Sequence, residues 1–209
     1  MTEISALFAA FTTMFIIIDP PGLAPVFIAL TQGMSVAQRR AIAIRACLVS
    51  ACLLMVFLFL GEAVLGFIGI SMDAFRIAGG ILLFLTALDM LFQRRQARRE
   101  DNAAEGQAEH HDDPSVFPLA LPMIVGPGAI TTIILLAGQA DGAADFGAIA
   151  GVILAVLVIV FLAFLASNTI ERALGKTGLN ILTRVLGMLL AALAVQFILD
   201  GLLGFGIGG

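Results

Sequence analysis

The stretch IIIDPPGLAPVFIALTQGMS, residues 16–35, puts a carboxylate, two consecutive prolines and a glycine in the middle of an apolar run that extends from about residue 4 to 31. A run of that length is what a helix needs to cross the roughly 30 Å hydrocarbon core of a bilayer. Proline removes a backbone hydrogen bond and clashes with the preceding turn, while glycine admits angles closed to other residues. A membrane helix is therefore expected here, unwound at Pro20, Pro21 and Gly22. Backbone groups freed in hydrocarbon are costly unless protein, water or a ligand satisfies them, so the break should face inward.

The rest of the chain repeats the theme. Of its 209 residues 60% are hydrophobic and 12% charged, with a mean hydropathy of +1.08. An ordinary soluble domain carries about 25% charged residues, and this chain has too few to cover a water-soluble fold. Apolar runs fall at roughly 4–31, 42–66, 72–92, 115–138, 147–168 and 180–203. The expected fold is an all-α polytopic membrane protein of six transmembrane helices. The fourth run is interrupted like the first, at Gly126-Pro127-Gly128. The start, Met1-Thr2-Glu3, lacks the positive region of a cleavable signal peptide, so the first run is expected to be retained.

Lys and Arg set the orientation. Arg39, Arg40 and Arg45 follow the first run, Arg94, Arg95, Arg98 and Arg99 the third, and Arg172, Lys176 and Arg184 surround the connection after the fifth. If every run spans, these regions share one side, cytoplasmic by the positive-inside rule, and both termini are periplasmic. The net charge of -4 and pI near 5.0 provide no basic footprint for nucleic acid. Cys47 and Cys52 are five apart on one helix and point to different sides, which argues against a disulfide or shared metal.

Residues 93–114, QRRQARREDNAAEGQAEHHDDP, are polar and read as a mobile cytoplasmic linker loop. His110 and His111 beside Asp112 and Asp113 suggest either a solvated linker or a metal- or pH-sensing tract. The linker separates an N-terminal unit, 1–92, from a C-terminal unit, 115–209, and the two resemble each other. Glu62-Ala63-Val64-Leu65-Gly66-Phe67-Ile68-Gly69-Ile70-Ser71 aligns with Glu171-Arg172-Ala173-Leu174-Gly175-Lys176-Thr177-Gly178-Leu179-Asn180, with a one-residue gap Arg76-Ile77-Ala78-Gly79 with Arg184-Val185-Leu186-Gly187, and Pro21-Gly22 with Pro127-Gly128. Three spans per copy make the second enter from the opposite face. Two inverted three-helix repeats, with helices 1 and 4 broken, point to a secondary transporter with its site near the midplane.

The chemistry of the breaks suits a zwitterion. A half-helix starting at Gly22 or Gly128 offers free amides and a positive dipole end to a carboxylate, and the half ending before the break offers carbonyls to an ammonium. The candidate substrate-binding residues are Asp19, Pro20, Pro21, Gly22, Gly126, Pro127, Gly128, Thr131 and Thr132. Asp19 could accept from an ammonium, carry a coupling proton, or simply cap the half-helix after Pro20. Thr131 and Thr132 line a pocket or bond back to their own helix. Glu62, Arg76, Glu171 and Arg184 anchor segment ends or form an ion-pair gate on each face. No metal-ligand spacing, nucleophile–base pair or Walker-type loop is present, so neither an enzyme nor an ATP-driven pump is expected, and no cofactor.

Through 16–35, RRAIAIRA at 39–46, GISMDAFRIAGGILLFLTALDML at 69–91 and PLALPMIVGPGAITTIILL at 118–136, the sequence resembles the MarC family of bacterial inner-membrane proteins, also classed as neutral amino acid transporters of a LysE-like superfamily. The resemblance covers nearly the whole chain. It implies six helices as inverted repeats, and transport of glycine, alanine and other small neutral amino acids, proton-coupled, with binding around Asp19–Gly22 and Gly126–Thr132. DPPG stands here where DPLG or DPIG is common in the family, a departure at Pro21. Alternatives are an exporter of another small metabolite, or a non-transporting assembly or stress protein of the same fold.

Overall fold

The computed structural model describes residues 4–108 and 113–207; His110 and His111 lie outside the described residues. The chain forms α1 (Ile4–Ile18), α2 (Pro20–Leu30), α3 (Val36–Ile68), α4 (Met72–Leu91), α5 (Arg94–Ala108), a proline-bent segment (Ser115–Ile124), α6 (Pro127–Ala137), α7 (Ala143–Leu165) and α8 (Ser167–Gly204). No strand occurs among the described residues.

Local chemistry explains most boundaries. Ser35 and Gln38 form a capping box that starts α3 six residues ahead of the apolar run, so this 33-residue helix, about 50 Å long, reaches beyond a bilayer core with its arginines at the amino end. Gly69, at φ 84°, ends it in the left-handed region that favours glycine. Ser71 then caps α4. The fifth run forms α7 at Ala143–Leu165 rather than 147–168, and the sixth helix starts at Ser167 rather than 180. The stretch expected to connect them is helical, kinked at Gly175 with φ 59° and ψ 176°.

Two expectations are corrected. Pro20, Pro21 and Gly22 do not unwind; they form the first turn of α2, where the missing proline amides cost nothing, and the interruption lies one residue earlier at Asp19. Residues 94–108 are a helix, not a loop: α5 buries Arg99 and Ala103, which composition alone assigned to solvent.

α1, α2 and α6 lie at the centre. Of the most apolar window of the combined Ile4–Leu30 span, 72% is buried, against 28% for α4 and for α8, so the first span is wrapped by the others. Outward, Leu48, Phe59, Leu85, Val158 and Leu162 are each more than half exposed, an apolar surface suited to lipid rather than water. Among the described residues five spans are long and apolar enough to cross a membrane, and six if the bent pair Ser115–Ile124 and Pro127–Ala137 counts as one. Phe117 and Leu121, each followed by proline, adopt extended backbone as preproline sterics demand. The segment and α6 meet at 59°. Phe27 of α2 stacks on Phe164 of α7 with ring centroids 4.4 Å apart, and Arg39 lies over the Phe27 ring while donating to Ser167 Oγ at 3.1 Å.

α4 and α8 pack backbone to backbone. A Cβ on Gly80 would stand 2.7 Å from the Ala194 carbonyl oxygen, and one on Gly201 2.8 Å from that of Asp73. Small residues give such helices their attraction in lipid, where no hydrophobic force acts between them. Gly80→Val is expected to lower stability by about 1–3 kcal/mol, because the opposing atoms are backbone and cannot yield. Gly66→Ala, with nothing within 4 Å, should hold stability or raise it by up to about 1 kcal/mol. Thermal unfolding of the purified variants in detergent checks both.

Candidate functional site

Asp19 sits between α1 and α2 with φ 58° and ψ 64°. The proline after it disfavours right-handed helix, and aspartate is among the few side chains that tolerate the left-handed region. The turn aims its carboxylate inward, where it is fully buried. Oδ1 accepts from the Gly22 amide at 3.2 Å, and Oδ2 accepts from Arg99 Nη1 at 3.1 Å, with side-chain exposures of 0% for Asp19 and 6% for Arg99. Gly22 is needed for clearance: a Cβ there would lie 2.1 Å from Asp19 Oδ2 and 2.9 Å from Arg99 Nη1.

Arg99 also donates to the Ile18 carbonyl at 3.0 Å, and Arg95 donates to the Ile17 carbonyl. Guanidinium groups suit this place, because the carboxyl end of a helix carries unpaired carbonyls and a partial negative charge. The carbonyls expected to face a substrate ammonium are thus already occupied, by side chains of α5. Burial lowers the pKa of Arg99, partly offset by Asp19. Burial, and then the neighbouring Arg99, bring Arg95 down to about 9.

The second interruption is different. α6 begins at Pro127 after Gly126, whose side-chain-free cap leaves the amides of Gly128 and Ala129 without an intrahelical acceptor. These residues border a cavity of about 120 Å³, lined on the other side by Arg95, Arg98, Arg99, Asp89 and Thr86. Asp89 pairs with Arg98 at 3.0 Å. The cavity therefore combines a positive helix end, guanidinium groups and one carboxylate, and it has room for a solute the size of about four waters.

Of the residues singled out from sequence, Gly126, Pro127 and Gly128 border this cavity. Asp19 stands behind Arg99, and Pro20 and Pro21 start α2 without lining it. Gly22 borders a separate cleft with Glu171 and Lys176. Thr131 presses its methyl group toward Gly79, and Thr132 is fully buried with its hydroxyl lacking a hydrogen-bond partner among the described residues. Arg76 pairs with Asp73 at 3.0 Å, not with Glu62, which is exposed, as is Arg184. Sequence reasoning missed Arg95, Arg98, Arg99 and Asp89. The available signals were the need of a membrane-buried Asp19 for a cation, and the four-residue spacing of Arg95 and Arg99, which puts both on one helix face.

The model of the family described as MarC family integral membrane protein matches residues 4–205. Curated relatives include a UPF0056 membrane protein of Archaeoglobus fulgidus, 42% identical over 95% of this chain and 93% of the relative. YvbG of Bacillus subtilis, a UPF0056 membrane protein, is 37% identical over 93% and 92%. The UPF0056 inner membrane protein YhgN of Escherichia coli is 32% identical over 94% and 95%. No solved structure gives a significant match.

Removing one partner of a buried ion pair strands the other charge, at a cost of about 3–5 kcal/mol. Asp19→Asn is expected to destabilise by that order, and the double variant Asp19→Asn/Arg99→Gln to recover part of the loss. Thermal unfolding of both single variants and the double variant measures the coupling directly. Glu62→Lys should leave stability within about 0.5 kcal/mol of the parent, as expected of an exposed side chain.

Proposed function

The chain belongs to the MarC family of integral membrane proteins, and from that premise we propose that it is a proton-coupled secondary transporter of small neutral amino acids, the size of glycine or alanine. The observation that carries this reading is the cavity of about 120 Å³ against the uncapped amino end of α6. A carboxylate meets the Gly128 and Ala129 amides there, and Asp89 and Thr86 stand opposite to receive an ammonium. Its volume admits a very small solute and leaves little room for a drug-sized one.

The inverted-repeat architecture belongs to the same reading. α2 and α6 are both 11 residues long, both begin with proline in the first turn, and both follow an interruption of an apolar run. α3 packs on α7 and α4 on α8, pairings between equivalent elements that a pseudo-two-fold axis in the membrane plane favours. On this reading the bent pair is one span, all six spans cross, and both termini are periplasmic in a bacterial inner membrane. The name of the Escherichia coli relative as an inner membrane protein supports the location. Asp19 serves as the coupling carboxylate, taking a proton when α5 withdraws Arg99. The protein acts as a carrier rather than an enzyme, and it needs neither cofactor nor nucleic acid.

Proteoliposomes carrying the purified protein are expected to accumulate labelled glycine or alanine under an imposed proton gradient, and to lose the signal when an ionophore collapses it. Absence of gradient-dependent uptake across a broad amino-acid panel would sink the reading. Gly128→Val, which crowds the cavity wall beside Ile17 and Leu83, should cut uptake at least about tenfold, a rate change equivalent to about 1.4 kcal/mol.

A further inference from the structure

The charged groups around the cavity do not balance. Arg98 has Asp89 at 3.0 Å and Arg99 has Asp19 at 3.1 Å, but Arg95 has no carboxylate within ion-pair distance among the described residues. Its guanidinium makes one bond to the Ile17 carbonyl and one contact of 3.2 Å to the Met90 sulfur. Three arginines against two aspartates leave one positive charge, and it faces the same space as the free amides of α6. Arg95 is part-buried at the cavity wall, so its guanidinium is available to an anion that enters beside the α6 amides. The planar fork of arginine matches a carboxylate in two hydrogen bonds, which a lysine cannot reproduce.

We infer that Arg95 is the residue that recognises the substrate carboxylate: together with the first-turn amides of α6 it holds a small monocarboxylate, and the ammonium is not required for binding. The inference rests on the transport reading for its physiological meaning, and it names the solute group that the cavity selects. Arg95 belongs to α5, so carboxylate recognition comes from outside the spanning helices. Burial and the nearby Arg99 already strain the charged form of Arg95, and an arriving anion relieves that strain.

The test uses the purified full chain in detergent, with acetate, glycine, methylammonium and chloride as probes at matched ionic strength. Acetate and glycine are expected to raise the unfolding temperature by roughly 2–6 °C at about ten times their Kd, and methylammonium and chloride to leave it unchanged. Arg95→Gln should weaken acetate binding at least about tenfold and Arg95→Lys by less, since the charge stays and the fork is lost. If Arg95→Gln does not unfold cooperatively, Arg95→Lys and competition of acetate with labelled glycine in parent proteoliposomes carry the test. The assignment is overturned if acetate fails to stabilise the parent protein, if chloride stabilises it equally, or if both Arg95 variants bind acetate as tightly as the parent. Acetate binding without amino-acid uptake would remove the transport reading and keep Arg95 as a carboxylate site. Uptake of glycine with no effect of acetate would do the reverse.

Discussion

A single ion pair, Asp19 with Arg99, holds the centre of this protein together. The carboxylate has no access to water, and a guanidinium and the Gly22 amide both reach it. Coulombic attraction at such a place is large, but so is the cost of desolvating both partners, and the net gain depends on satisfying every remaining lone pair and proton. The left-handed turn at Asp19 supplies that geometry. It points one carboxylate oxygen along α2 and the other toward α5, and it leaves the Ile17 and Ile18 carbonyls for the two arginines to cap.

Much of the rest follows from satisfying backbone groups in an apolar medium. Helix ends inside a membrane protein need partners for their free amides and carbonyls. At the first interruption the protein supplies partners itself: Asp19 for an amide, Arg95 and Arg99 for two carbonyls. At the second, Gly126 offers no side chain, and the amides of Gly128 and Ala129 open onto a cavity. The two interruptions look alike in sequence, yet one is closed and the other is open.

The apolar runs were legible because hydrocarbon thickness dictates their length, and the interruptions because proline and glycine act locally. The position of the first was misjudged by one residue. Pro20 disturbs the residue before it more than its own turn, and the helix restarts at once with both prolines where helices accept them. The partners of Asp19 were illegible for a different reason. Composition averages over a segment, and QRRQARRE averages to a solvated linker. What matters is that Arg95 and Arg99 recur on one face of α5, and only the tertiary fold says what that face meets. Glu62 and Arg76 were linked by recurrence in both halves, but Asp73, three residues before Arg76 on the same helix, is the nearer partner.

The placement of the arginines on α5 bears on how such a protein can be made. Each arginine driven into the bilayer centre on a nascent segment opposes insertion by about 2.5–3.5 kcal/mol. Here Arg95 and Arg99 travel on a separate polar helix, joined to α4 through Phe92 and Gln93, rather than within an apolar run. Insertion and assembly of the charged centre can thus occur in sequence, with the apolar helices settling first and α5 docking afterwards onto a carboxylate that waits for it.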